Sequence, residues 1–350
     1  MESIMEKLDT DFFKGVLAQE GFSVPAVPII LGYSIWAYSH YKKIPAETIM
    51  RNGEYHAAAQ LYVANKYGLP FVVTFTDLNL IGEALGAKLT YLPDVIPVHE
   101  SPAIQNLDEL NNLFPTNPEK DGRLPVIVKT AKIFSEKFKA DEHILMAGCE
   151  GPITASGSIV GMENLMRNMI NQPEKVHEVL DIASQSIIHF LNAQLERGME
   201  FVTLSDPSAS CTCISPEFFK EFALPYYKKI VKQVNSPIFM IHICGEVLPI
   251  LKDLIRVPKM MIISVDDVDM EQAKKIIGNK FVLLMGNVST SIMRYGTVNQ
   301  VEMEVKRVIN KAGKGGKLLL SSACDLSPGT PEKNILAMIN AAKKYGTFPL

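Results

Sequence analysis

A (β/α)8 TIM barrel with a helical N-terminal extension is the fold that this 350-residue sequence predicts. Three observations predict it. Short, continuously apolar runs rich in β-branched residues recur along the chain, helical patterns separate most of them, and more than six such units follow one another without a break. A continuous apolar run marks a strand buried on both faces, as in a parallel sheet covered by helices. That many repeated units suit a closed barrel better than an open sheet.

The first 65 residues read as helical decoration ahead of the barrel. The strands then follow in order: "PFVVTFT" (70–76), "HILMAG" (143–148), "FVTLSD" (201–206), "SPIFMIHI" (236–243), "KMMIISV" (259–265), "KFVLLMG" (280–286) and "KLLLSSA" (317–323). The stretch 162–198 predicts two helices meeting at 171–173, where Pro173 can start a helix but not continue one. Ser215 and Thr330 stand at N-cap positions, each with a proline following. The stretch 297–313 ends on Gly313, as helices often do. The polar, proline-rich stretch "FPTNPEKDGRLP" (114–125) reads as a solvated loop. No shift of composition divides the chain, so 1–350 reads as one barrel domain. The run "NKAGKGGK" (310–317) follows a helix and precedes a strand, the wrong order for a phosphate loop, and reads as a solvated turn.

A net charge of −3 and a pI near 6.2 give no reason to expect nucleic acid as a partner. No run approaches eighteen apolar residues, and "MESIMEKLDTDFFKG" is acidic and amphipathic, unlike a signal peptide. A cytoplasmic protein with no membrane partner is the expectation. Five cysteines, an odd number, argue against a disulfide framework and leave the thiols free for packing, metal or chemistry.

Barrel chemistry collects where strands end and βα loops begin. "IFMIHICGE" places His242 and Cys244 at such a junction, two apart and therefore facing the same way. "LLLSSACDLSPGTPE" places Cys324 at another, on what should be a neighbouring strand. One imidazole and two thiolates suit Zn²⁺, and three protein ligands rather than four would leave a position open for catalysis. Packing alone also fits these residues, since a buried cysteine is most often a small apolar residue. Asp77, Glu83, Glu150 and Asp206 lie at or shortly after strand ends, where each could hydrogen-bond His242 or carry a proton. Glu150 or Glu246 is a candidate fourth ligand. Charges at helix starts are the alternative reading of all these acids.

Several further stretches carry a family resemblance: "GCEGPIT" (148–154), "LSDPSASCTCISPEFFKEFALPYYKKI" (204–230), "HICGE" (242–246), "MGNVS" (285–289) and "ACDLSPGTPEKNI" (323–335). From about Asn65 onward the chain resembles the uroporphyrinogen decarboxylase-like superfamily, and within it the zinc-containing cobamide-dependent methyltransferases. The resemblance implies that His242, Cys244 and Cys324 form the zinc motif of that branch. By their positions Glu150 and Asp206 are the candidate catalytic acids, and Asp77, Glu83 and Asn287 are candidate substrate contacts. "FTDLNLIGEALG" (75–86) is common to both branches, and in the decarboxylases its aspartate, here Asp77, faces the tetrapyrrole. The decarboxylase also needs an arginine-rich signature near its N-terminus. The matching "VPAVPIILGYSIWAYSHYKK" (24–43) has no arginine to pair with a polycarboxylate, which disfavours a decarboxylating lyase.

The implied reaction moves a methyl group between a corrinoid, carried on a separate small protein, and a small acceptor: a thiol such as coenzyme M, or tetrahydrofolate. A donor-side demethylase, acting on an O-methyl aromatic or methylamine-type compound, is the alternative. Glu246, the Cys211/Cys213 pair and the aromatic residues Tyr33, Trp36, Tyr38 and Tyr41 depart from the coenzyme M pattern. Tyr33 and Trp36 would suit a planar substrate, or simply pack. A non-catalytic binding protein on the same barrel would close its zinc with four protein ligands. Monomer and homodimer both remain compatible with the sequence.

Overall fold

The computed structural model describes residues 11–137 and 143–350; most of the acidic amphipathic start, residues 1–10, lies outside them. Nine strands are numbered here in chain order. Seven form one parallel sheet in the order β1 (Phe71–Val73), β4 (Ile144–Glu150), β5 (Phe201–Ser205), β6 (Phe239–Ile243), β7 (Met260–Val265), β8 (Leu283–Val288) and β9 (Leu318–Ser322). All seven apolar runs are strands of this α/β TIM barrel. The other two, β2 (Lys88–Thr90) and β3 (Val98–Ser101), pair antiparallel outside it.

The N-terminal extension is helical over Leu31–Lys42, Ala46–Met50 and Gly53–Tyr67. It also does more than decorate. Ala26 bridges in parallel to Leu320 of β9; Val27 N–H donates to Leu320 O at 2.7 Å and Leu320 N–H to Pro25 O at 2.8 Å. Val27 and Ile29 then join the interior cluster beside Phe71 and Val73 of β1, so 24–30 fills the gap between β9 and β1. Pro25 and Pro28 lack the N–H groups of a full ladder, which keeps this stave irregular.

Alternation along the strands gives the barrel two layers. Met146, Phe201, Met240, Ile262, Leu283, Met285 and Leu319 form an apolar floor. Two to four residues further on, the same inward series delivers Glu150, Ser205, His242, Ser264 and Asn287 to the upper layer.

The helices at 162–198 are Met162–Asn171 and Pro173–Leu195, divided as expected. Ser215 caps the next helix by accepting from Phe218 N–H. This helix widens to π geometry over Phe219–Ala223 just before Pro225, whose missing N–H leaves a carbonyl one turn earlier without its partner. Thr330 does not cap Glu332–Tyr345; its hydroxyl donates instead to Ser327 O at 2.7 Å. The stretch 114–125 is exposed over most of 114–122, as a solvated loop should be, but Arg123 is only 2% exposed and Leu124 opens a helix.

Candidate metal centre at the barrel mouth

β6 carries His242 one residue before its end, with Cys244 just past it, and their Nε2 and Sγ atoms lie 3.2 Å apart. Cys324 follows β9 and brings its Sγ to 3.6 Å from that of Cys244, much longer than a disulfide bond. β9 is not the neighbour of β6: β7 and β8 intervene, and the two ends meet across the mouth because the sheet curls. The three ligand atoms fall within 4.8 Å of one another. Tetrahedral Zn²⁺ with bonds of about 2.3 Å to sulfur sets S···S near ~3.8 Å, so this donor set fits the ion.

The local sequence makes the corner. Gly245 turns the chain at φ +69°, and a Cβ there would meet Thr212 Oγ1 at 2.5 Å. Its N–H donates to Asp266 Oδ2 at 3.3 Å. His242 Nδ1 lies 2.9 Å from Ser264 Oγ, which turns Nε2 toward the sulfurs. The Cys244 and Cys324 sulfurs share a hydrogen bond, and this contact, with His242 beside it, pulls the Cys324 thiol below its ordinary value despite burial. The same contact and burial push Cys244 up.

Below the centre opens a cavity of about 170 Å³, walled by the floor layer and by Val27, Ile29, Phe75 and Leu78. His242, Cys244, Cys324, Asp77 and Asp325 also line it. Of the acids read at strand ends, only Asp77 faces this space. Arg123 grips both its oxygens at 2.8 and 2.9 Å; burial works to raise the carboxyl, and the guanidinium holds it below its ordinary value. Glu83 lies outside the lining, paired with Arg123 Nε at 2.5 Å and with Tyr91.

Glu150 and Asp206 point into packing rather than the cavity. Glu150 Oε1 accepts Ile81 N–H at 2.6 Å, and burial pushes the carboxyl up to about 7. Asp206 accepts from the N–H groups of Ile153 and Thr154, the Thr154 hydroxyl and the Tyr227 hydroxyl, while burial raises its carboxyl. None of the four acids bonds His242; Ser264 does. Glu246 is exposed and accepts Leu248 N–H at 2.8 Å, apart from the metal cluster.

Asn287 donates its amide to Asp266 O and Val268 O at 2.8 and 2.9 Å, holding a loop rather than lining the cavity. Tyr33 is buried with its hydroxyl 3.3 Å from that of Tyr67, and Trp36 packs between Tyr33 and His40. Neither lines the cavity, so helix packing accounts for both.

Four residues that matter here went unread in the sequence. Ser264 and Asp266 lay in and just after β7, where a lone serine in an apolar strand was a usable signal. Asp325, beside Cys324, accepts Gly32 N–H at 2.7 Å, and its Oδ1 is buried without a partner among the described residues. Arg123 carried no local signal at all.

Comparison with known proteins agrees with this geometry. The family profile described as Uroporphyrinogen decarboxylase (URO-D) matches residues 16–345. A methylcobamide:CoM methyltransferase MtaA of Methanosarcina barkeri is 30% identical over 297 residues, 82% of this chain and 84% of that protein. A methylated-thiol–coenzyme M methyltransferase of Methanosarcina mazei is 30% identical over 272 residues, 77% and 71% of the two chains. A solved structure, a methyltransferase from Methanosarcina mazei, superposes with a TM-score of 0.83 at 26% identity, covering 96% of this chain and 99% of that one. No helix among the described residues is long and apolar enough to cross a membrane. The chain belongs to the uroporphyrinogen decarboxylase (URO-D) family, and the relatives at 30% identity named above are methyltransferases.

Proposed function

We propose that this chain moves a methyl group between a corrinoid, carried as substrate on a partner protein, and a small-molecule thiol, using Zn²⁺ held by His242, Cys244 and Cys324. The observation that carries the reading is the convergence of these three ligand atoms, with no fourth among the described residues, on a cavity of the barrel mouth. The relatives named for methylcobamide and coenzyme M support it.

When bound, the zinc would act as a Lewis acid that keeps a thiol deprotonated at neutral pH. The residues around it do the rest. Ser264 orients the imidazole, the Gly245 turn aims Cys244, and the apolar floor excludes water from the reacting sulfur. The transfer balances as R–SH plus CH₃–Co(III) giving R–S–CH₃, Co(I) and a proton. The carbon–cobalt bond breaks with its electron pair left on cobalt, and a sulfur lone pair makes the new bond to carbon. Glu150 and Asp206 hold the scaffold on this reading and do not shuttle that proton. Asp77 contributes a wall.

The test mixes zinc-loaded protein with methylcobalamin and a panel of thiols, following cobalamin absorbance and methyl thioether together. Zinc-dependent thioether formation, abolished by chelation, is expected. Failure with every thiol while zinc stays bound would sink the thiol reading and turn attention to methyl donors.

A further inference from the structure

We infer that the small molecule is an uncharged, apolar thiol (or its methyl thioether in the reverse direction) seated on the barrel floor, and not a thiol with an anionic tail. This rests on the methyl-transfer reading and narrows it. The cavity extends to the metal ligands, so its walls would select a molecule seated there. Phe71, Val73, Met146, Phe201, Met240 and Met285 supply the floor. Methionine and aromatic side chains form a polarizable, adaptable surface that favours hydrocarbon and sulfur.

Charge decides against an anion. Among the described residues the lining holds no lysine or arginine. The cation just behind it, Arg123, is bound to Asp77 and Glu83 and does not line the cavity. Asp77 and Asp325 put carboxyl groups into the lining. The metal does not compensate, because Zn²⁺ with two thiolates and a neutral imidazole carries no net charge. A sulfonate or carboxylate would therefore find the hydroxyls of Thr76, Thr203 and Ser205 but no cation, a costly way to bury a charge.

The wild-type, zinc-loaded protein can be titrated calorimetrically with 1-propanethiol, 1-butanethiol, 1-pentanethiol, thiophenol and 2-mercaptoethanesulfonate. Affinity should rise about fourfold per added methylene, the value expected for buried hydrocarbon. The sulfonate thiol should bind at least tenfold more weakly than 1-butanethiol. Equal or tighter binding of the sulfonate thiol, or no dependence on chain length, would overturn the inference. Thr203→Lys, which places an ammonium in the cavity wall, should narrow or reverse the preference; an unchanged ratio in folded Thr203→Lys would place the thiol tail elsewhere and overturn it too. The two readings fail differently. Methyl transfer favouring the sulfonate thiol ends this inference and leaves methyl transfer standing, whereas zinc retention with no transfer to any thiol ends both.

Discussion

Two sectors of one barrel rim hold similar polar residues and put them to opposite uses. At the ends of β6 and β9, His242, Cys244 and Cys324 turn ligand atoms toward each other and toward open space. At the ends of β1, β4 and β5, Asp77, Glu150 and Asp206 are buried, and the structure provides each with donors from neighbouring segments. A strand end places a polar side chain at the rim. Whether that side chain can react depends on what else has already bonded it. The acid sector fixes segments 75–86 and 150–160 around the mouth; the metal sector leaves its ligand atoms open to an ion.

The separation makes the largest prediction direct. Cys324→Ala should lower zinc affinity on the order of a thousandfold, since one of three protein ligands is lost and metal binding is worth ~10–16 kcal/mol in closed sites. The apo protein's denaturation midpoint should hardly move. Metal analysis after dialysis, paired with urea titration, reads both. Arg123→Met should do the reverse. It leaves Asp77 buried without its cation, a change that costs about 3–5 kcal/mol, while zinc content stays at wild-type level. Zinc lost along with stability would mean that the sectors are coupled, and the comparison would break.

The contrast also explains what the sequence revealed. The seven sheet strands were legible because strands buried on both faces are continuously apolar. His242 and Cys244 were legible because a spacing of two on a strand fixes a shared direction. The stave at 24–30 was hidden by its two prolines, and β2–β3 by short strands with little burial. The partners of the acids were not legible, because a strand-end position says nothing of what arrives from elsewhere. Ile81 reaches Glu150 across 69 residues, and Arg123 reaches Asp77 across 46. Such long-range contacts are decided by packing, not by any local pattern.

Glu150 sharpens the acid side through pH. Its folded value near 7 lies above the unfolded 4.5, so between those values the folded chain binds the extra proton. Stability from this group is therefore present below pH 4.5 and is lost as pH rises to 7, by up to about 3 kcal/mol. Glu150→Gln keeps an oxygen to accept the Ile81 N–H and cannot ionise. The difference in urea stability between variant and wild type should grow across that window and level off above it. A flat difference would show that Glu150 ionises in the folded protein as it does in the unfolded chain.

Ser264→Ala tests the metal side most finely. The Ser264 hydroxyl is the hydrogen-bond partner found for His242 Nδ1, and it sets which way Nε2 points. Partners of this kind are worth about 10- to 100-fold in metal affinity, less than a ligand and more than a surface contact. Alanine leaves the backbone of β7 in place, so a chelator competition should show that loss with the cysteines untouched. Ser264→Thr keeps the hydroxyl and should recover most of it. Were alanine silent, packing of β6 and β7 alone would hold the ring. The metal sector would then be fixed by its surroundings as firmly as the acid sector, and the difference between the two would reduce to which atoms were left without a partner.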